Sequence, residues 1–169
     1  MDAGLLILRV ASGLLMAAHG GQKLFGWFGG YGLAAVSGFF EALGLRPGRV
    51  FAPLVVVSEL ASGLLVALGF LGPIGPALML PVMIVAAITV HWQNGLFAAT
   101  NGVELNFLYA AIAIALALIG PGRYSLDAQA GLNALWTPTF AWGALAVGTA
   151  GAAASLAVRR AVVGATVAA

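Results

Sequence analysis

Long apolar stretches alternate along the chain with short connections rich in glycine, proline, asparagine and aromatic residues. A helix needs about 20 apolar residues to cross the hydrocarbon core of a bilayer. The pattern predicts five apolar segments, at residues 4–25, 50–70, 74–90, 104–119 and 138–158. Residues 33–45 have helical periodicity but are too short to cross, which is typical of a re-entrant or interfacial half-helix. The pattern therefore predicts four or five membrane spans joined by short loops.

Composition supports this prediction and excludes other classes. The 169 residues are 62% hydrophobic and only 7% charged, whereas a soluble domain carries about 25% charged residues. The seven Lys and Arg residues are scattered, so no basic footprint for nucleic acid is present. The absence of cysteine excludes disulfides and thiolate ligation within the chain. The N-terminus lacks the positive region of a signal peptide, so we interpret it as a retained first span.

The first span carries an unusual polar face. At about 100° per residue, a set of five residues falls within an arc of roughly 80°: Arg9, Ser12, Met16, His19 and Lys23. Charges within a membrane span normally turn towards the bundle interior and find partners. We expect Arg9 to pair with Asp127 or Glu59, Arg123 to pair with Asp127, and Lys23 to be able to extend towards the membrane interface.

Antiparallel threading places most other polar groups at one end of the bundle, called the loop side here, which holds the first and third connections between spans. From this side, His19 lies about 9 Å deep and Glu59 about 14 Å deep, at 1.5 Å per residue. Arg9, Arg123 and Asp127 lie on the opposite side. The excess of Lys and Arg on the loop side makes it cytoplasmic by the positive-inside rule.

Ionisable and aromatic side chains thus converge at one end of an apolar bundle, as in a small-ligand pocket. The predicted ligand-binding residues are His19, Lys23, Phe39, Glu59, His91, Trp92, Glu104 and Asn106. Glu59 is a candidate proton carrier because it lies in the middle of a span. Simpler roles stay open: a network holding the half-helix, a cap of the fourth span for Glu104, and an interface belt for the aromatic residues. Metal binding lacks a recognised ligand spacing.

Four stretches in this order resemble the DoxX family of small bacterial membrane proteins: LRVASGLLMAAHGGQKL, SELASGLLVALGFLGP, HWQNGLFAATNGVELNFLYAAIAIALAL and GPGRYSLD, which together cover about residues 4–133. The resemblance implies a four-helix transmembrane bundle over residues 1–136. The last apolar segment departs from this pattern, so we interpret residues 137–169 as an additional C-terminal transmembrane helix and tail. The resemblance also implies that nine positions match family motifs: Arg9, His19, Gly20, Lys23, Glu59, Glu104, Gly120, Gly122 and Asp127.

The same resemblance implies a role beside membrane oxidoreductases, because family members are similar to a thiosulfate:quinone oxidoreductase subunit. We therefore expect an accessory subunit in the bacterial plasma membrane, with an intramembrane pocket for a quinone-like or other amphipathic molecule and with soluble or membrane oxidoreductase subunits as partners. Two alternatives stay open, a non-catalytic scaffold that recruits soluble redox enzymes and a small transporter or lipid-handling protein. Stripes of Ala and Gly also allow homo-oligomers.

Overall fold

The computed structural model describes residues 2–167, with side chains to residue 165, and this part of the chain is helical without a strand. Its helices are α1 (Asp2–Phe25), α2 (Gly32–Ala42), α3 (Gly48–Leu68), α4 (Ile74–Ala86), α5 (Glu104–Ile119), α6 (Leu126–Gln129) and α7 (Pro138–Val167). Helix α4 continues through a π turn at Ala87–His91 and a 3-10 turn at Trp92–Asn94. The predicted all-α membrane bundle is confirmed.

Four helices in the described chain are long and apolar enough to cross a membrane: Asp2–Phe25, Gly48–Leu68, Ile74–Asn94 and Pro138–Ala165. Helix α5 is equally apolar but has only 16 residues, a length of about 24 Å at 1.5 Å per residue. The C-terminal helix, rather than α5, is thus the fourth long apolar helix. The chain is a multi-pass membrane protein.

Successive long helices run antiparallel. Gly13 of α1 contacts Gly63 and Ala67 of α3, whereas Gly20, further along α1, contacts Leu60, earlier in α3. The two helices therefore run in opposite directions. On the side opposite the loop side, Asp2 at the start of α1 pairs with Arg123, which follows α5. On the loop side, Arg159 near the end of α7 donates to the Leu43 carbonyl oxygen. The first helix therefore begins opposite the loop side and the last one reaches the loop side.

Helices α1 and α3 pack closely through glycine. A Cβ atom added at Gly13 would lie 2.5 Å from the Gly63 carbonyl oxygen, and one added at Gly63 would lie 2.5 Å from the Ala17 nitrogen. Small residues let membrane helices approach this closely. The contact sets the register that brings the polar face of α1 against α3, where Arg9, Ser12 and Met16 are all buried.

The last long helix packs on α4 through its own small residues. A Cβ at Gly148 would clash with the Ala77 backbone, and Leu145 and Ala152 are buried. Helix α5 covers another face of α4 with Ala113 and Leu116. The outer face of α7 stays exposed, as at Val147 and most of its alanines.

The half-helix is shorter than its predicted range of 33–45 and lies against α3 at the loop side. Val36 and Phe40 form a small core with Leu45 and Ala52. The Glu41 carboxylate accepts a hydrogen bond of 2.6 Å from the Gly48 amide, the first residue of α3. This bond anchors α2 to the helix that carries Glu59.

Candidate functional site

An ion pair between Lys23 and Glu59 is the centre of the candidate site. The Lys23 ammonium lies 2.6 Å and 2.8 Å from the two Glu59 carboxylate oxygens. The Glu59 side chain is only 3% exposed, whereas that of Lys23 is 27% exposed. Lys23 therefore turns inward to Glu59 rather than outward to the interface. A carboxylate this deep needs hydrogen-bonding partners, and Lys23, one turn beyond His19, supplies a charged one.

A polar cavity of about 270 Å³ lies on one side of this pair, between α1, α3, the end of α4 and α5. The polar cavity brings together five of the predicted binding residues: His19, Lys23, Glu59, His91 and Asn106. It also contains Tyr109 and Asn101, which the sequence reasoning missed. Tyr109 lies three residues after Asn106, so helical spacing on α5 was the signal that could have identified it.

An apolar cavity of about 410 Å³ lies on the other side of the pair, bounded by α2, α3, α4 and α7. Its aromatic lining consists of Phe39, Phe40 and Phe51. Lys23, Glu59 and His91 line this cavity as well as the polar one. The ion pair thus stands where a polar space meets an apolar space.

Each histidine of the site is held through one of its ring nitrogens, Nδ1. His19 Nδ1 lies 3.3 Å from the Gln22 side-chain oxygen, and the Gln22 amide nitrogen donates to the Phe28 carbonyl oxygen at 3.2 Å. His91 Nδ1 lies 2.8 Å from the Asn101 carbonyl oxygen. These bonds orient the rings and leave Nε2 of each without a hydrogen-bonding partner in the described chain.

Two predicted binding residues lie away from both cavities. The Glu104 carboxylate accepts a hydrogen bond of 2.7 Å from the Ala98 amide, so it fastens the connection before α5 to the start of that helix. Trp92 is 72% exposed at the loop side, the position of an interface-belt residue. Sequence reasoning placed both at the correct end of the bundle but could not give their side-chain directions.

The predicted ion pair of Arg9 with Asp127 or Glu59 is wrong. Arg9 is only 2% exposed and donates to the Tyr124 carbonyl oxygen. Its Nε and Nη1 atoms are buried without a hydrogen-bonding partner among the described residues. Glu59 is out of reach because it lies near the opposite end of the α1–α3 contact, where Lys23 engages it.

The predicted pair of Arg123 with Asp127 is also wrong. Asp127 is fully buried and accepts hydrogen bonds from the amides of Leu71 and Gly72, at 3.0 Å and 2.7 Å, and from the Trp136 indole nitrogen at 2.7 Å. Three N–H donors satisfy the carboxylate without a cation. Arg123 pairs with Asp2 instead, at 3.1 Å.

Metal binding finds no support in the arrangement of side chains. Among residues 2–167, no group of three His, Asp or Glu side chains lies close enough to hold a metal ion. The site is instead a set of hydrogen-bonding groups around one buried ion pair.

Comparison with known proteins decides the family. The DoxX family model matches residues 4–92, more than half of the chain. This protein belongs to the DoxX family. The matched region runs from α1 to the end of α4 and contains the Lys23–Glu59 pair, whereas α5 and α7 of this DoxX protein lie beyond it. No curated protein and no solved structure matches the chain.

Proposed function

We propose that this DoxX protein is an accessory membrane subunit of an oxidoreductase system and that its loop-side cavities bind a quinone-like amphipathic molecule. The observation that carries the proposal is the position of the Lys23–Glu59 pair, at the junction of the polar and the apolar cavity. A ligand with a polar ring and an apolar tail needs such adjoining spaces. Its proposed location is a bacterial plasma membrane, with the loop side facing the cytoplasm.

The hydrogen-bonding groups of the polar cavity suit the oxygens of a quinone. Lys23 has a third N–H beyond the two that face Glu59. The Asn106 amide contacts only the Met83 sulfur, at 4.0 Å, and the Tyr109 hydroxyl has no hydrogen-bonding partner in the described chain. A quinone carbonyl accepts from such donors, and a quinol hydroxyl donates to a free imidazole nitrogen. The rings of Phe39 and Phe51 provide apolar contact on the other side.

The proposed chemistry divides between this chain and its partner. Conversion of a quinone into a quinol takes up two electrons and two protons. We assign the electrons to an associated oxidoreductase subunit and the protons to the polar cavity, where His19 and Glu59 exchange them. This chain would thus bind and position the ring rather than hold the electron donor.

Binding of decylubiquinone and a short-chain menaquinone to the purified protein in lipid nanodiscs tests the proposal. Asn106→Leu removes a donor inside the cavity, so we expect binding to weaken by about 10-fold, the equivalent of one lost hydrogen bond of about 1.4 kcal/mol. Glu104→Gln is the control, because Glu104 is outside both cavities, and its affinity should not change. Absence of binding to either quinone, or equal affinities for the Asn106→Leu and wild-type proteins, would refute the proposal. Unchanged redox activity of the partner system in His19→Ala would do the same.

One observation favours scaffolding as a second candidate function. The outer face of α7 is exposed and carries four small residues around Val147: Gly143, Ala150, Ala154 and Ala157. Such a face allows another membrane helix to approach closely. Co-purification of oxidoreductase subunits with wild-type protein but not with Ala154→Trp would support a scaffold. Equal co-purification of the same subunits would argue against it.

A further inference from the structure

We propose that His91 and His19 form a proton route from the loop-side surface through the polar cavity to the Lys23–Glu59 pair. The route's purpose, which is to protonate a bound ligand, rests on the proposed function. The route itself follows from how the two histidines are held, and it can be tested without any ligand.

The tautomer of His19 follows from its neighbour. Because the Gln22 amide nitrogen donates to the Phe28 carbonyl oxygen, the Gln22 side-chain oxygen faces the ring of His19. That oxygen can only accept, so Nδ1 of His19 carries the hydrogen. When the ring is neutral, Nε2 is therefore the basic nitrogen.

The same reasoning applies to His91. Its Nδ1 atom lies 2.8 Å from the Asn101 carbonyl oxygen, which can only accept. His91 therefore also keeps its hydrogen on Nδ1 and leaves Nε2 free to take up a proton. Two separate contacts thus hold the rings of His19 and His91 in the same Nδ1–H tautomer within one cavity. The His19 contact is fixed to the backbone through Gln22, and the His91 contact is made to the backbone directly.

The position of the two rings gives the route its direction. His91 lies at the loop-side end of α4, where the π turn ends, and it lines both cavities. His19 lies one turn before Lys23 on α1 and is half-buried. Further from the loop side than the ion pair, Met16 and Ser62 are fully buried. Water therefore approaches Glu59 from the loop side.

Few other groups near the route can exchange protons. The α1 helix contributes His19, Gln22 and Lys23, and α3 contributes Glu59. The end of α4 contributes His91, the following connection Asn101, and α5 Asn106 and Tyr109. Among these residues Lys23 and Glu59 engage each other as an ion pair. The two imidazoles are the remaining groups in this set that can both accept and donate a proton.

Hydrogen–deuterium exchange of the Glu59 carboxyl, followed by time-resolved infrared spectroscopy, tests the route. A Lys23→Met background removes the cation, and a carboxyl without a partner in a poorly solvated site is neutral and visible as a protonated acid. His19→Asn and His91→Asn are then added singly. Asparagine keeps a side-chain N–H that can replace the Nδ1 donor but has no basic ring nitrogen. We expect each to slow exchange by about 10-fold or more.

Trp92→Phe in the same background is the matched control, because Trp92 is exposed beside His91 and lines neither cavity. Its exchange rate should equal that of Lys23→Met alone. Unchanged exchange in either asparagine variant would overturn the two-histidine route. A Glu59 that stays ionised without Lys23 would also overturn it, because that carboxylate would be open to bulk water.

Nitrogen-15 NMR of the histidine side chains tests the same inference in the wild-type chain. Neutral His19 and His91 should both show a protonated Nδ1 and an unprotonated Nε2. Gln22→Leu should release His19 into a mixture of tautomers and leave His91 unchanged. An Nε2–H tautomer at either ring in wild-type protein would contradict the proposal. Because no quinone is present, either result is independent of whether a quinone binds.

Discussion

At the scale of single residues, a buried charged side chain is stabilised either by an oppositely charged partner or by uncharged hydrogen-bonding groups. Glu59 has a cation partner, whereas Asp127 is satisfied by N–H groups alone. Arg9 has a single carbonyl partner for its guanidinium. Each solution removes a charge from contact with lipid, where it would be costly. The two carboxylates therefore respond differently to substitution.

Breaking the Lys23–Glu59 pair should destabilise the fold more than removing both partners. Lys23→Met leaves a buried carboxyl without its cation, and we expect a loss of about 2–4 kcal/mol, because Lys23 is partly exposed. The double variant Lys23→Met, Glu59→Leu should lose only about 1 kcal/mol, since no uncompensated group remains. Denaturant unfolding in detergent micelles measures the loss of unfolding free energy in both variants. If the loss in the double variant equalled the sum of the losses from its two single substitutions, the expected coupling would be contradicted.

Asp127 is expected to be sensitive to loss of charge in spite of having no ion pair. Asp127→Asn places an amide NH₂ against N–H donors, so at least one of the three hydrogen bonds is lost and a donor is left buried. We expect a loss of about 2–3 kcal/mol of unfolding free energy. Asp2→Asn is the control, because the Asp2–Arg123 pair is largely exposed and its loss should change stability little. Equal stability of the Asp127→Asn and wild-type proteins would show that the three bonds are not formed.

At the scale of elements, the α1–α3 contact determines which polar residues can meet. The sequence alone allowed the polar arc of α1 and the depth of Glu59 to be predicted from helical geometry. It did not identify the partner of Glu59, because that depends on the register between α1 and α3. The register follows from the Gly13–Gly63 approach, which is a tertiary contact between residues 50 positions apart. The error over Arg9 has the same origin.

Gly13→Ala tests this contact directly. Its Cβ would lie 2.5 Å from the Gly63 carbonyl oxygen, so the helices must move apart, with an expected loss of about 1–3 kcal/mol. Gly4→Ala is a matched control in the same helix, because a Cβ there meets nothing within 4 Å. The control should be neutral or slightly stabilising. Thermal unfolding of the two variants in one detergent measures the difference, and equal melting temperatures would exclude a tight contact.

At the scale of the whole molecule, composition and hydropathy were enough to predict a multi-pass helical protein, but the end of its last helix required the structure. Residues 104–119 were predicted as a span, and α5 has these same bounds. The C-terminal helix, predicted over residues 138–158, extends to Val167. Helix α7 continues past Arg159 and Arg160, where the apolar pattern ends, so hydropathy locates this helix but does not give its length.

The antiparallel arrangement makes a prediction about topology. Since the chain has no cysteine, single cysteines can be introduced as unique labels. Asn94→Cys at the end of α4 and Gly164→Cys near the end of α7 should react with an impermeant maleimide from the same side of the membrane. Gln129→Cys, between α5 and α7, should react from the opposite side. Labelling of all three positions from one side would show that α5 and α7 do not both cross.

The wall that α7 contributes to the apolar cavity, through Gly151 and Ser155, belongs to a part of the chain outside the family match. The ion pair lies inside the family match, whereas this wall lies outside it. Replacing Gly151 or Ser155 reshapes the space available to a hydrocarbon tail while leaving Lys23 and Glu59 untouched. Under the proposed function, selectivity for the tail and contact with the ring therefore depend on separate segments of the chain, and one can be altered without the other.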